Sequence, residues 1–399
     1  MTAKTVLAAC GVGCLCTFVL SHSAAAIQDP LPQFSRELAL EDAAETSANV
    51  SVGDLDGDGD LDLVLAKGRH WPLRDRVLLN DGKGTFTATD LGPVADRTYS
   101  AVLADFDGDG DLDVATSNDQ PDIKLVFLND GKGRFHQAGS WGAPAWSTRN
   151  ASAADLNGDG RPDLMAANRP GPSYVCLNDG KARFDTQPCI AIPAKSATSI
   201  ANGDFNKDGT TDLAVPARDG GQSLVYLNDG RANFTRTIPF GPPDVTARIS
   251  AAADLNGDGW LDLATTDERV KQVTVYLANG RGGFQAGVVV GGQTDVPYAM
   301  ATADLNGDRR PDIVVGYVEA RPAVFFNDGT GTAFKQVSFG DAAGTAYGFG
   351  FGDLNGDKLV DIAMARSEAR NVVYFATRTN VRQGTASFSP AVSQPSRRR

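Results

Sequence analysis

The chain has 399 residues, a formal net charge of −12 at pH 7 and 42% hydrophobic residues. That acidity argues against a nucleic-acid partner, which needs a basic surface. Length alone suggests two or three domains, but a strict internal repeat points instead to one large all-β domain.

Residues 1–26 read as a secretory signal peptide. Lys4 is the only charged side chain, Val6–Leu20 is apolar, and Ala24–Ala25–Ala26 offers a small-residue cleavage site. The apolar run is too short for a comfortable membrane span. Leu7–Ala8–Ala9–Cys10 is like a lipoprotein cleavage box but lies too near the start to leave an apolar region before it. We expect a secreted or periplasmic protein, monomeric and without a membrane span. Residues 27–33 form a linker, a repeat domain fills 34–388, and the tail 389–399 is disordered.

Phe34–Ser35–Arg36–Glu37–Leu38 has the pattern of a single outer strand. After it come seven acidic loops, beginning at Asp54, Asp105, Asp155, Asp204, Asp254, Asp304 and Asp353, at spacings of 49 to 51 residues. The second is Asp105–Phe106–Asp107–Gly108–Asp109–Gly110–Asp111–Leu112–Asp113. Short acids at its first, third, fifth and ninth positions supply oxygens, and the seventh can turn its backbone carbonyl inward. The glycine at the sixth permits a sharp turn at positive φ. So many carboxylates in one loop repel each other without a counter-ion, and an all-oxygen set suits Ca²⁺ rather than zinc or copper. A solvated acidic face would lack the strand-like runs that follow each loop, LDLVLA, LDVATS, PDLMAA, TDLAVP, LDLATT, PDIVVG and VDIAMA.

A second signature follows each of the first six loops: LNDGKGTF from Leu79, LNDGKGRF from Leu128, LNDGKARF from Leu177, LNDGRANF from Leu227, LANGRGGF from Leu277 and FNDGTGTAF from Phe326. Asn-Asp-Gly between a β-rich run and a Phe is a hairpin turn. Each unit therefore holds four short strands, the fourth starting at the Phe, and the period fits a seven-bladed β-propeller. The last unit, ending NVVYFATRTN, lacks the turn. We expect the N-terminal strand to complete it, with Ala386–Ser387–Phe388 as the competing closure.

Cys10, Cys14 and Cys16 lie in the leader. Cys176 and Cys189 remain, on consecutive strands, either as a cross-strand disulfide or as two buried thiols.

The DLNGDGxxDL-type loops and LNDGxGxF turns, spread over Phe34 to Phe375, resemble the FG-GAP/VCBS repeats, which also build the propeller of integrin α-subunits. The resemblance implies a Ca²⁺ loop between the first two strands of each blade. Carried over position by position, the first loop supplies Asp54, Asp56, Asp58, Asp60 and Asp62, and the second Asp105, Asp107, Asp109, Asp111 and Asp113. The third supplies Asp155, Asn157, Asp159, Arg161 and Asp163, and the fourth Asp204, Asn206, Asp208, Thr210 and Asp212. The fifth supplies Asp254, Asn256, Asp258, Trp260 and Asp262, and the sixth Asp304, Asn306, Asp308, Arg310 and Asp312. The seventh supplies Asp353, Asn355, Asp357, Leu359 and Asp361. Arg309 and Lys358 replace the turn glycine in the last two loops, so we expect weaker Ca²⁺ binding there. An EF-hand is excluded, because Leu65 and Thr116 stand where it needs a glutamate.

No hydrolase, metalloprotease or phosphate-loop motif is present, and His70 and His136 fall in different units. We expect no enzyme and no catalytic residue; an extracellular enzyme of polysaccharide lyase or hydrolase type and a structural spacer are the alternatives. Six residues before each leading Asp stand Ala48, Tyr99, Arg149, Thr198, Arg248, Tyr298 and Tyr347. These should ring the channel mouth opposite the acidic loops, with Trp146 and Trp71 beside them. Tyr99, Trp146, Arg149, Arg248, Tyr298 and Tyr347 are the candidate ligand residues, for an extracellular glycan or protein, unless they merely plug the channel.

Overall fold

The second strand of each repeat is buried at every position because both of its faces are covered. Leu63 and Leu65 pack with Leu354, Ala363 and Phe375 on one side, while Val64 and Ala66 pack with Val114 and Phe127 on the other. Successive strand residues point to opposite faces, so a strand sandwiched between two neighbouring sheets has no face left for solvent.

The computed structural model describes residues 31–378 apart from Gln293. Those residues form seven antiparallel four-stranded sheets and no helix, a seven-bladed β-propeller. Blade 1 runs Ser47–Gly53, Asp62–Lys67, Arg76–Asn80 and Phe86–Asp90; blade 2 runs Thr98–Ala104, Asp113–Asn118, Lys124–Asn129 and Phe135–Trp141. Blade 3 comprises Thr148–Ala154, Asp163–Asn168, Ser173–Cys176 and Ile190–Ile192, and blade 4 Ala201–Gly203, Asp212–Val215, Ser223–Leu227 and Arg236–Phe240. Blade 5 holds Ala247–Ala253, Asp262–Asp267, Gln272–Tyr276 and Val288–Gly292, and blade 6 Pro297–Ala303, Asp312–Tyr317, Ala323–Asn327 and Phe334–Ser338. Blade 7 joins Thr345–Gly352, Asp361–Ser367 and Val372–Thr377 to the N-terminal strand Gln33–Ala39.

That N-terminal strand pairs antiparallel with Val372–Thr377, as the sequence suggested. The ring closes where the first strand of blade 7 meets that of blade 1. Glycine makes this approach possible, since a Cβ at Gly350 would stand 2.4 Å from a methyl of Val52. The leader, the lipoprotein-like box, most of the linker, Ala386–Phe388 and the tail from Ser389 lie outside the described residues.

One detail departs from the sequence reading. The fourth strand starts at the signature Phe in blades 1, 2 and 6, but later in blades 3, 4 and 5. In blade 3 the reason is visible: Phe184 is buried edge-on against Phe106 of blade 2, so the ring anchors the blades before the strand begins. Between the two alternatives for the cysteines, Cys176 and Cys189 form the disulfide. Among the described residues no helix is long and apolar enough to cross a membrane.

Candidate functional site

The two ends of the first strand carry different chemistry. At its far end each acidic loop is wound around its leading carboxylate. Asp105 accepts the N–H groups of Gly108 at 2.7 Å and Gly110 at 3.0 Å, and Asp155 accepts those of Gly158 and Gly160. The third-position side chain accepts the fifth-position N–H, and the fifth accepts the seventh. These bonds turn the remaining oxygens inward. One oxygen from each of Asp54, Asp56 and Asp58 lies within 4.8 Å of the others, and Asp105, Asp107 and Asp109 converge likewise. Burial, then repulsion from the next aspartate, raises the carboxyls of Asp56 and Asp107 above their ordinary value.

The third to sixth loops relieve that repulsion with an amide: Asn157, Asn206, Asn256 and Asn306 each donate to the fifth-position Asp. Asn355 occupies the same place in the seventh loop, accepting the N–H of Asp357. Arg309 and Lys358 both sit at φ +67 and still donate their N–H to the leading Asp, so the loop keeps its shape despite the missing glycine. A third departure escaped the sequence reading. Lys207 replaces the fourth-position glycine of loop 4 at φ +60, and its ammonium lies 4.4 Å over the Trp260 ring of loop 5. At the seventh position, Arg161, Thr210 and Arg310 send their side chains to backbone carbonyls of the adjacent turn.

The ninth-position aspartates, Asp62, Asp113, Asp163, Asp212, Asp262, Asp312 and Asp361, are fully buried. Each accepts the N–H of its own loop's second residue and one from the start of the third-to-fourth-strand turn, as Asp163 does from Leu156 and Asn178. Burial raises their carboxyls to about 6, and that of Asp312 to about 7, despite those two bonds. The turn Asn then reaches the preceding blade. Asn80, Asn129, Asn178, Asn228 and Asn327 donate to the backbone carbonyls of Leu354, Leu55, Phe106, Leu156 and Leu255. The sequence showed these asparagines as turn formers; they are also ties between blades. Blade 5 has Ala278 there and blade 7 has Ala376, so those two junctions lack the tie.

At the opposite end, a register shift interrupts the first strand after Ser47, Thr98, Thr148, Ala247, Pro297 and Ala346. The extra residue is Ala48, Tyr99, Arg149, Arg248, Tyr298 or Tyr347. A β-bulge re-aims the side chain that it carries, and these six, with Thr198 of blade 4, line one cavity of ≈ 130 Å³. The structure thus brings together all seven residues that the spacing singled out. Trp146 is elsewhere, stacked 3.9 Å from Tyr174.

The cavity is ordered by cations over rings. Arg248 lies 3.4 Å over Tyr298, Arg69 3.9 Å over Tyr347 and Arg149 4.5 Å over Tyr99. The Tyr347 hydroxyl donates to that of Tyr298 at 3.1 Å. Beside them is an arc of charged residues that the sequence reading missed, at the sixth residue after the ninth-position Asp of blades 2 to 5: Asp119, Arg169, Arg218 and Glu268. Asp119 pairs with Arg149 at 2.9 Å, and Glu268 bridges Arg218 and Arg248. His70 joins Asp119 at 3.1 Å through Nδ1 and the Tyr99 hydroxyl at 2.9 Å through Nε2. The signal for this arc lies at one equivalent position of the repeat, the exit of the second strand.

Comparison with known proteins adds the following. None of the curated proteins matches the chain. An Agrocybe aegerita lectin, solved for its specific recognition of non-reducing terminal N-acetylglucosamine, superposes with a TM-score of 0.53 at 20% identity, over 80% of this chain and 86% of that one. BBS1N, in its complex with ARL6DN, gives 0.61 at 13% identity in a mercury-soaked crystal and 0.58 at 15% in a lead-soaked one, each over 88% of this chain and 98% of the other. At such identities the likeness is one of fold. The model of the FG-GAP-like repeat matches residues 54–116, 117–166, 155–215, 204–265, 254–315 and 304–364, and the chain belongs to that family.

Proposed function

We propose that this is an exported, Ca²⁺-stabilised recognition module that binds a glycan on its channel-mouth face and is not an enzyme. The observation that carries the reading is the ring of bulges: five blades spend an irregular residue on aiming Tyr or Arg into one opening. Tyr and Arg pair a flat apolar face with hydrogen-bond donors, the combination that sugar rings require. The disulfide supports an oxidising compartment, and the likeness in fold to a lectin solved for its recognition of N-acetylglucosamine supports a glycan ligand.

The acidic loops fit Ca²⁺ by their donor set, with converging carboxylates in loops 1 and 2 and Asp/Asn sets in the other five. The bound ion would supply the positive charge that these oxygens lack and so hold the loop end rigid. Sites 6 and 7 would be the weaker ones, with Arg309 and Lys358 beside them. Glycan-array screening of the exported chain in calcium tests the proposal: selective binding without product release is expected, and a blank array with folded protein would sink it.

One observation favours a second reading. The chain Asp119–His70–Tyr99 is a hydrogen-bonded relay opening on a cavity of arginines, which would suit removal of a proton from an acidic sugar, as in a lyase. The appearance of unsaturated product from a polyuronate would decide for it.

A further inference from the structure

The channel mouth carries more positive charge than its own carboxylates answer. Arg69, Arg149, Arg169 and Arg248 line the cavity, and no acidic side chain lines it. Behind the wall, Asp119 is committed to Arg149 and His70, Asp219 to Arg169, and Glu268 to Arg218 and Arg248. Five guanidiniums therefore meet three carboxylates, and among the described residues none lies within ion-pair distance of Arg69.

Arg69 is held in place rather than free. It sits at φ +53, donates from one terminal nitrogen to Ser367 at 2.9 Å, and lies over Tyr347, while its buried Nε finds no hydrogen-bond acceptor. Strained, over-determined backbone of this kind gathers at functional sites. The local potential is felt by His70, whose pKa is pushed below its ordinary value by burial and then by Arg149 and Arg69, against the pull of Asp119. All this occurs in a protein of net charge −12.

Next to the cavity stands the one exposed tryptophan among the described residues. Trp71 is 62% exposed, and its ring stands at 81° to that of His70 with the centroids 6.0 Å apart. A flat apolar face beside an uncompensated guanidinium suits a pyranose ring that carries an oxyanion. A cavity of ≈ 130 Å³ admits one such group rather than a stretch of backbone.

The geometry points to an anionic sugar as the ligand of the channel mouth, its carboxylate or sulfate held by Arg69 and its ring on Trp71. This inference rests on the glycan-recognition reading and narrows it. A guanidinium fork meets two oxygens of one carboxylate or sulfate with two parallel bonds, which neither a neutral sugar nor a free hydroxyl reproduces.

The test is calorimetric titration of the full chain at low salt and matched free Ca²⁺. The probes are a trigalacturonate, a sulfated trisaccharide, a neutral trisaccharide and triglutamate. At least one anionic sugar should bind about tenfold or more tightly than the neutral one, and which of the two does so names the oxyanion. The preference should fade as salt is raised and should collapse in Arg69→Gln. Should Arg69→Gln fail to fold, Trp71→Ala at an exposed position serves instead: it should weaken the sugars severalfold and leave triglutamate unmoved. Equal affinity for charged and neutral sugars would overturn the anion but leave glycan recognition standing. Triglutamate binding as well as the anionic sugars, with Trp71→Ala silent, would keep the positive cavity but overturn the sugar. No binding by any probe would overturn both.

Discussion

The two ends of the propeller are built on the same seven strands and follow opposite rules. At the acidic-loop end the side chains repeat almost without change, because each loop must wind around its own leading carboxylate and seat a buried aspartate on the same two backbone N–H groups. At the mouth the backbone repeats, with the same bulge at the same place in six of the seven blades, while the side chain differs from blade to blade. Repetition of side chains marks a task that every blade performs alone. Repetition of backbone with varied side chains marks a task that the blades share, since one opening is lined by all of them.

The largest expected effect is that of chelation, which on the proposed reading would strip Ca²⁺ from the acidic loops. With a Kd near ~10 µM and ~1 mM Ca²⁺, each site would add about 2.7 kcal/mol. Several sites together would rival the stability of an ordinary domain. Chelation should lower the unfolding midpoint by tens of degrees, read by circular dichroism. An unchanged midpoint would mean that the loops are held by their own hydrogen bonds.

Those bonds predict the next largest effect. Asp163→Ala strands the N–H groups of Leu156 and Asn178 in a fully buried place. At about 1–3 kcal/mol for each orphaned donor, denaturant unfolding in chelator should show a loss of about 3 kcal/mol or more. A loss below ~1 kcal/mol would mean that water satisfies the donors.

The mouth end has its own buried carboxyl. Asp75 accepts the Lys67 N–H at 2.7 Å and the Thr98 hydroxyl at 2.9 Å, and burial pushes its pKa from 3.8 to about 7. The folded value lies above the unfolded one, so the stability that it contributes is present below about pH 4 and is lost as pH rises through about 7. Asp75→Asn should flatten the fall in stability between those limits relative to the parent protein at the same free Ca²⁺. An unaltered slope would show that the group does not titrate there.

Much of this was legible in the sequence, because a period near 50 residues copies every constraint seven times. Blade number, the closing N-terminal strand and the seven mouth residues all follow from counting. The bulge was not legible, since it is a property of pairing register and leaves no residue signature of its own. The tie from each turn Asn to the preceding blade was hidden for a related reason: Asn-Asp-Gly already has a sufficient local explanation as a turn. Lys207 lies outside the sixth-position pattern that marks Arg309 and Lys358, because the loop crosses to positive φ at the fourth position as well.

A smaller effect separates loops 6 and 7 from the rest. Arg309 and Lys358 hold φ +67 at a cost on the order of 1–2 kcal/mol each. Arg309→Gly and Lys358→Gly should therefore raise stability by about 1 kcal/mol apiece in chelator. They should also tighten Ca²⁺ binding, read by competition with a chelating dye, because a cation leaves the neighbourhood of the site. Stability gained without affinity would mean that the side-chain charge is screened from the loop.

The smallest expected change concerns the junctions that lack a tie. Ala278 of blade 5 is 6% exposed and holds the place that Asn228 and Asn327 hold in blades 4 and 6. Its N–H already donates to Asp262 at 2.8 Å, so the turn backbone is in register for the missing side chain. Ala278→Asn should let the amide reach the carbonyl of Phe205, the residue equivalent to Leu156 and Leu255. One neutral hydrogen bond adds about 1 kcal/mol net, less what the larger side chain costs in a packed place. A midpoint raised by a degree or two, with slower amide exchange confined to blades 4 and 5, would show that the ties act junction by junction. A lowered midpoint would mean that blade 5 has repacked around its alanine, which would make the acidic-loop end less uniform than its sequence implies.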